Sequence, residues 1–243
     1  MPEEMLVLPS SSSPSQSSLT ASIPNFDPRT IPVVQADIHL PAVPLAAQTP
    51  QALRARFAQP PFWQPEVRKE GQFAQRTPAH AAVLVPLVLR NELMVLLTLR
   101  TAQLSTHSGQ VAFPGGKQDP EDVDATATAL REAQEEVGLP AEQVEVLGRL
   151  PIYETGTAFI VTPVVALVQP DVVLVPNPHE VADVFEVPLR FLLDPANHQR
   201  HRLHWQGLER EWFSMPYDDA GHERYIWGAT AGMLRNLYRF MVA

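Results

Sequence analysis

Two apolar runs, AAVLVPLVL and ELMVLLTLR, lie within residues 81–100 and are separated only by Arg90 and Asn91. Runs of this length that are rich in valine and leucine are typical of buried β-strands, and two polar residues suffice for the turn of a hairpin. Runs of the same kind recur downstream, at 144–150, 159–168 and 181–189. The chain is therefore predicted to fold around a β-sheet that begins with this hairpin.

Two segments have the apolar spacing of helices rather than strands. In the segment 124–137 the apolar residues form one stripe at helical spacing, made by Ala129, Leu130, Ala133 and Val137. Gly138 follows directly, and glycine is the residue that most often ends a helix. A second helix is predicted from about Ala229 towards the C-terminus.

Strands and helices are mixed along the chain. HRLHWQ (201–206) and REWFSMPY (210–217) are predicted to form a further hairpin across Gly207. The elements neither repeat nor alternate as regular βαβ units. This order predicts a mixed α/β sandwich in one domain, residues 78–243.

The N-terminal part of the chain has a different composition. Residues 8–31 are rich in serine and proline, a composition that buries too little apolar surface to offset the entropy of ordering. The first 48 residues are therefore predicted to be largely extended or disordered. A short helix is predicted near 50–59, because Thr49 is a favoured N-cap residue and Pro50 suits the first helical position. Residues 1–77 are accordingly assigned to an N-terminal extension.

Composition and charge exclude several classes of protein. The chain has no cysteine, which excludes disulfides, thiolate metal sites and cysteine nucleophiles. A net charge of −9 argues against broad binding to nucleic acid. No apolar run approaches the roughly 18 residues of a membrane span, and the N-terminus lacks the order of a secretory signal. We expect a cytoplasmic protein that binds neither nucleic acid nor membrane; a homodimer is compatible with the sequence.

The helical segment carries a concentration of carboxylates in the stretch REAQEE (131–136). Glu135 and Glu136 lie three and four residues after Glu132, so the three project from neighbouring turns of one side, where like charges repel. A solvated helix face with incidental glutamates is the alternative interpretation. The glycine pair Gly115-Gly116 and an acidic loop precede this helix, and that context favours a site for Mg²⁺ or Mn²⁺, which prefer oxygen ligands.

The stretch from Gly116 to Leu139 resembles the Nudix box, G-x5-E-x7-R-E-U-x-E-E-x-G-U, in which U is apolar. REAQEEVGL matches the second half of the box at every defined position. The sequence departs from the box in two ways: Asp122 stands where the box has glutamate, and one extra residue precedes Arg131. The resemblance implies a Nudix-type α/β/α sandwich with a mixed β-sheet and a catalytic loop and helix.

The residues upstream of the box resemble the signature of one branch of that family, the coenzyme A pyrophosphatases, L-L-T-x-R-[SA]-x3-R-x3-G-x3-F-P-G-G. Nine positions match: Leu96, Leu97, Thr98, Arg100, Gly109, Phe113, Pro114, Gly115 and Gly116. Thr101 replaces the Ser or Ala, and Ser105 replaces the second Arg, which removes one phosphate-binding cation. The Asp and the longer spacing inside the box are usual in this branch.

The resemblance implies metal-dependent hydrolysis of the diphosphate bond of coenzyme A or acyl-CoA, giving 3′,5′-ADP and 4′-phosphopantetheine or its acyl form. The alternatives are ADP-ribose, a nucleotide sugar or a dinucleoside polyphosphate as substrate, or a Nudix-fold ligand-binding regulator without turnover.

The resemblance also implies roles for individual residues. The metal ligands would be Glu132 and Glu136, with Glu135 as a further ligand oriented by Arg131. Arg100, at the end of a predicted strand, would bind a phosphate, in a substrate-binding group completed by Phe113, Gly115 and Gly116. Glu180 is the first candidate for the general base, followed by Glu154 and Asp183.

Overall fold

The computed structural model describes residues 27–71, 77–102, 109–205 and 208–243. Before the first predicted strand it contains a 3₁₀ turn at Pro28–Thr30, strand β1 (Val33–Ala36), a second 3₁₀ turn at Leu45–Gln48 and helix α1 (Pro50–Ala58). The Thr49 hydroxyl accepts a hydrogen bond from the N–H of Ala52, which is the N-cap interaction predicted for this helix.

The central part of the chain forms the main sheet and one long helix. In chain order the elements are β2 (Ala79–Leu89), β3 (Leu93–Arg100), β4 (Val111–Ala112), β5 (Gly115–Lys117), α2 (Ala125–Val137), β6 (Val144–Arg149), β7 (Tyr153–Glu154), β8 (Phe159–Val168) and β9 (Val181–Pro188). A 3₁₀ turn at Ala141–Gln143 precedes β6.

The C-terminal part forms a second sheet and a final helix. Its elements are α3 (Leu189–Leu192), β10 (Gln199–Trp205), β11 (Leu208–Asp219), β12 (His222–Trp227) and α4 (Gly228–Val242), with a 3₁₀ turn at Pro195–Asn197. The four strands of this sheet lie in the order β1-β10-β11-β12, and all neighbours are antiparallel.

The main sheet is mixed and contains eight strands, β2 to β9. β2 and β8 are parallel over ten residue pairs, from Ala79 opposite Phe159 to Val88 opposite Val168. β3 is antiparallel to both β2 and β9, and β5 pairs with the beginning of β2. The pairing of β5 places Gly115 opposite Val83.

The alternating side chains of the central strands divide the core into two layers. Ala82, Leu84 and Val88 pack with the apolar stripe of α2 on one face of the main sheet. Val85 and Leu87 pack on the other face in a larger cluster that includes residues of α4 and of the second sheet. Since successive side chains of a strand point to opposite faces, one Val- and Leu-rich strand supplies both layers.

The predicted fold class is confirmed, and most predicted elements are present close to their expected bounds. The hairpin at 81–100, the strands that follow it, the helix at 124–137 and the C-terminal helix are all observed. β10 and β11 form the second predicted hairpin. The sequence did not predict the arrangement of β1 and β10–β12 as a separate sheet.

The prediction of an extended or disordered segment before residue 48 needs correction where the structure describes it. β1 pairs with β10, and the side chain of Val43 is buried. The N–H of Val43 donates to the carbonyl oxygen of Leu193, and the hydroxyl of Tyr238 donates to the carbonyl oxygen of Pro41. Proline lacks an N–H but keeps its carbonyl, so distant donors hold this proline-rich segment in place. Residues 1–26 lie outside the described residues.

Asp37 anchors the same segment electrostatically. Its carboxylate lies 2.8 Å from a guanidinium nitrogen of Arg235 on α4, and both residues are only 1% exposed. Glu66 also contacts Arg235, at 2.7 Å, and Arg200 contacts both carboxylates. Residues assigned from sequence to the extension therefore pack against the last helix of the chain.

No helix within the described ranges has both the length and the apolar character that a membrane span requires.

Candidate active site

Helix α2 presents the carboxylates of REAQEE, and both of its ends are fixed. The side chain of Asp124 caps the first turn by accepting hydrogen bonds from the N–H groups of Thr126 and Ala127, at 2.8 and 2.9 Å. Gly138 ends the helix with φ at +67°, a left-handed conformation that glycine adopts without strain. Between these caps, Ala129, Ala133 and Val137 are fully buried and fix the rotation of the helix about its axis.

Arg131 connects the acidic loop to the helix. Its guanidinium makes a bidentate pair with Asp122, at 3.0 and 2.9 Å, and donates to the carbonyl oxygen of Lys117 at 3.0 Å. A second edge of the same group lies 3.1 Å from Glu132 and 3.0 Å from Glu135. The hydrogen bonds from Arg131 lower the pKa of Asp122 well below its usual range. The contact between Arg131 and Glu135 that the resemblance implied is present.

The carboxylate of Glu136 is buried, with 2% of the residue exposed. One oxygen lies 3.2 Å from a guanidinium nitrogen of Arg100, and the other accepts a hydrogen bond of 3.2 Å from the N–H of Gly115. Burial, with the charges of Glu132 and Glu180 adding to it, raises the pKa of Glu136 to about 7 despite both contacts. The two contacts from the protein therefore do not fully compensate the negative charge of this buried carboxylate.

Glu132 lies one turn before Glu136 and is half-buried against the glycine pair. Burial raises its pKa, Arg131 opposes that shift, and the charges of Glu135 and Glu180 add to it. A Cβ built on Gly116 would lie 2.5 Å from both carboxylate oxygens of Glu132. Glycine at 116 is thus what allows this carboxylate to rest against the backbone of β5.

Gly115 is required for a different reason. A Cβ at this position would lie 2.4 Å from the carbonyl oxygen of Ala82 and 2.6 Å from the Cα of Val83, both in the backbone of β2. The close approach of the two strands lets the N–H of Gly115 reach Glu136. Of the predicted substrate-binding pair, Gly115 therefore shapes the sheet, whereas Gly116 adjoins a carboxylate.

Glu180 lies directly before β9, which pairs with β3. The pairing of Arg100 with Val181 brings Glu180 to the end of the strand that carries Arg100. The N–H of Thr101 donates to the carbonyl oxygen of Glu180 at 3.0 Å, and the side-chain amide of Asn177 donates to its carboxylate at 3.3 Å. Glu180 thus lies beside Arg100, whose guanidinium contacts Glu136, and its charge contributes to the raised pKa of Glu132 and Glu136.

The two lower-ranked candidates for the base are held by other contacts. Glu154 forms an ion pair with Lys69 at 3.4 Å, on the short strand β7. Asp183 forms an ion pair of 2.6 Å with Arg224 of the second sheet. These contacts favour Glu180 over both.

The remaining predicted residues have different environments. Glu135 is exposed, with 56% of its side chain accessible, so it is open to a ligand from solvent. Phe113 is 2% exposed and belongs to the core, and its assignment to the substrate-binding group stays a prediction. Ser105 lies outside the described residues.

The chemistry of this cluster fits a divalent cation. Within the described ranges, no three His, Asp or Glu side chains are placed closely enough to enclose a metal ion. Mg²⁺ usually takes only one or two protein carboxylates and completes its shell with water and phosphate oxygens. Glu132 and Glu136, with raised pKa values and mutual repulsion, supply such a pair. The exposed Glu135 lies beside them on the same helix.

Sequence reasoning missed the structural role of Asp122. In the sequence Asp122 is a departure from the box, whereas in the structure its bidentate pair with Arg131 fixes the loop on the helix. The sequence signal for this ion pair is an aspartate in the loop, Asp122, followed nine residues later by Arg131 on the predicted helix.

The NUDIX domain model matches residues 78–206, more than half of the chain. The chain belongs to the Nudix family. A Nudix hydrolase of Yersinia pestis named NudL, described as uncharacterized, is 40% identical over 171 residues, which are 70% of this chain and 84% of that protein. The family identifies the protein as a hydrolase of the pyrophosphohydrolase type, and Nudix hydrolases generally use divalent metal ions such as Mg²⁺ or Mn²⁺.

Solved Nudix structures resemble this chain over about half of its length. The Ap4A hydrolase of C. elegans, in a binary complex, is 24% identical over 49% of this chain and 85% of its own, with a TM-score of 0.40. The NUDIX domain of Shewanella oneidensis NrtR, complexed with ADP ribose, is 21% identical over 47% of this chain and 75% of its own, with a TM-score of 0.37.

Proposed function

We propose that this Nudix hydrolase cleaves the diphosphate bond of coenzyme A or acyl-CoA, releasing 3′,5′-ADP and 4′-phosphopantetheine or its acyl form. The contact between Arg100 and Glu136, at 3.2 Å, carries this proposal. Arg100 belongs to the upstream signature that resembles the coenzyme A branch, and Glu136 belongs to the Nudix box. Their contact supports a single site in which the signature residues meet the substrate beside the catalytic helix.

In this proposal Glu132 and Glu136 hold Mg²⁺ or Mn²⁺, with Glu135 as a further ligand. When bound, the cation supplies positive charge to the phosphoryl oxygens. Arg100, which contacts Glu136 in the structure, turns one guanidinium edge to a phosphate of the substrate. Arg131 keeps the loop and the helix in register through its contacts with Asp122 and Lys117.

Glu180 acts as the general base on the attacking water. It accepts one proton as the water oxygen forms a bond to phosphorus. The bond between that phosphorus and the bridging oxygen breaks, the bridging oxygen leaves with the second phosphate, and Glu180 then returns its proton to a phosphate product or to solvent. The elements of water are thereby added across the diphosphate bond, and two phosphate monoesters are formed without any other reactant.

Ser105 favours a second candidate. Where the signature has a second arginine this chain has serine, so one cation that would bind a phosphate of coenzyme A is missing. A diphosphate without a 3′-phosphate, such as ADP-ribose, a nucleotide sugar or a dinucleoside polyphosphate, does not need that cation.

Product identification separates the two candidates. The protein is incubated with coenzyme A, an acyl-CoA, dephospho-coenzyme A and ADP-ribose, each with Mg²⁺ or Mn²⁺, and the products are identified by mass spectrometry. We expect 3′,5′-ADP from coenzyme A, and its loss in a Glu136→Gln variant that still folds. Cleavage of ADP-ribose or dephospho-coenzyme A with none of coenzyme A would refute the first substrate and support the second class.

A further inference from the structure

The loop before β9 is bonded to the catalytic helix at two residues, Val175, whose N–H donates to the carbonyl oxygen of Val137 at 2.9 Å, and Asn177. The backbone N–H of Asn177 donates to the carbonyl oxygen of Glu136 at 2.8 Å, which fixes the loop on the last turn of α2. Its backbone carbonyl oxygen accepts from the N–H groups of Glu180 and Val181, at 3.1 and 2.9 Å. Asn177 thus connects the helix that carries Glu136 with the segment that carries Glu180.

Both ends of the Asn177 side chain are also used. The side-chain oxygen accepts a hydrogen bond of 3.1 Å from the N–H of His179, and the side-chain nitrogen donates to the carboxylate of Glu180 at 3.3 Å. The first bond closes a local turn, which an aspartate would keep equally well. The second requires a donor, and only an amide side chain of this length supplies acceptor and donor together.

Thr101 holds the same loop from the other side. It is buried at the end of β3, and its hydroxyl donates to the carbonyl oxygen of His179 at 3.2 Å. Its backbone N–H donates to the carbonyl oxygen of Glu180. The upstream signature has Ser or Ala at this position, and an alanine there would lack the hydroxyl bond.

We propose that Asn177 is a positioning residue for Glu180, and that Thr101 assists it by holding the backbone of His179. The inference rests on the proposed function, because Glu180 is the base in that reaction. The backbone N–H of Asn177 is bonded to the last turn of the helix that carries Glu136, and its side-chain amide is bonded to the carboxylate of Glu180. Together these two bonds limit how far the Glu180 carboxylate can turn away from the helix.

An Asn177→Asp variant separates positioning from a role in the turn. Aspartate keeps the size, the acceptor for His179 and the backbone contacts, but it places a negative charge where Glu180 had a donor. We expect kcat to fall about 10- to 100-fold with KM within about threefold, on whichever diphosphate the wild type cleaves. Full activity of Asn177→Asp would show that the residue only shapes the turn and would overturn the proposal.

A double-mutant comparison tests whether the effect passes through Glu180. Glu180→Gln is expected to lower kcat by about 100-fold or more, and adding Asn177→Asp should lower it by less than about threefold further. Independent, multiplying losses would overturn the proposal, as would a fully active Glu180→Gln variant. For Thr101, Thr101→Val should lower kcat and Thr101→Ser should restore it.

The effect of Asn177 on the position of the Glu180 carboxylate can be tested without measuring hydrolysis. Crystal structures of the wild type and of Asn177→Asp should show the Glu180 carboxylate displaced by about 1 Å or more in the variant, with the turn at residues 177–180 intact. An unmoved carboxylate would overturn the proposal. Failure to cleave coenzyme A alone would instead concern the substrate, because the variants are compared on any diphosphate that is cleaved.

Discussion

The adjacent glycines Gly115 and Gly116 provide a sharp test of the site, because a methyl group added to each meets a different kind of neighbour. In Gly116→Ala the new Cβ would lie 2.5 Å from the carboxylate of Glu132, whereas ordinary van der Waals contact is 3.4–4 Å. The carboxylate is the free end of a flexible side chain, so it can move by about 1 Å without disturbing the backbone. A displacement of about 1 Å in a catalytic group costs about 100-fold in rate.

In Gly115→Ala the neighbour is the backbone of β2, which cannot move in this way. The Cβ would lie 2.4 Å from the carbonyl oxygen of Ala82, within a strand paired on both sides. Overpacking of this kind costs about 1–3 kcal/mol of the free energy of unfolding. For a chain of this size that cost lowers Tm by about 2–12 °C.

We therefore expect opposite profiles from two substitutions one residue apart. Gly116→Ala should lower kcat by about 100-fold and keep Tm within about 2 °C, while Gly115→Ala should lower Tm clearly. The assays are diphosphate hydrolysis under saturating metal and differential scanning calorimetry of each variant.

Gly148→Ala is the matched control. Its Cβ would lie 2.8 Å from the ring of Phe57, a side chain outside the site, so kcat should be unchanged. If Gly116→Ala retained full activity, or lost stability as Gly115→Ala does, the position of Glu132 beside Gly116 would not matter for catalysis. The assignment of Glu132 as a metal ligand would then fail.

Three further predictions concern charged groups. Asp122→Ala should lower kcat by about tenfold or more, because Arg131 loses the bidentate pair that fixes the loop; a fully active variant would show that the loop needs no such anchor. Asp37→Ala should lower the free energy of unfolding by about 3 kcal/mol in urea denaturation, because it leaves the buried Arg235 with fewer partners; a loss below about 1 kcal/mol would contradict this. Burial lowers the pKa of His198 from 6.5 to about 4, so between these pH values the unfolded chain binds a proton that the folded chain does not bind. Stability should fall by about 3 kcal/mol as the pH drops from 6.5 to 4, and a His198→Gln variant should lack this component in urea titrations at both pH values.

The elements that sequence predicted well are those determined by neighbours along the chain. Helix α2 ends at Gly138 as its apolar stripe and glycine stop indicated, and Thr49 caps α1. The first hairpin follows from two apolar runs with a short polar break. In each case the interactions that decide the structure lie within a few residues, so composition and spacing contain them.

The features that sequence missed depend on partners far away in the chain. The strand character of β1 is decided by β10, more than 160 residues later, and the serine- and proline-rich composition gives no sign of it. In the site, spacing predicted the three glutamates of α2, but it gave neither the bond between Asn177 and Glu180 nor the burial of Phe113. These depend on how the loop before β9 and the strand β4 meet the sheet.

The contacts of Arg235 determine when the chain can complete its fold during synthesis. Arg235 lies in the last helix, whereas its carboxylate partners lie far back in the chain, Glu66 169 residues earlier and Asp37 earlier still. Closing a loop of that length costs entropy that only the finished set of contacts repays. The N-terminal segment, although it leaves the ribosome first, therefore reaches its native place only after α4 has been released, and a chain that stops before α4 leaves β1 without this anchor.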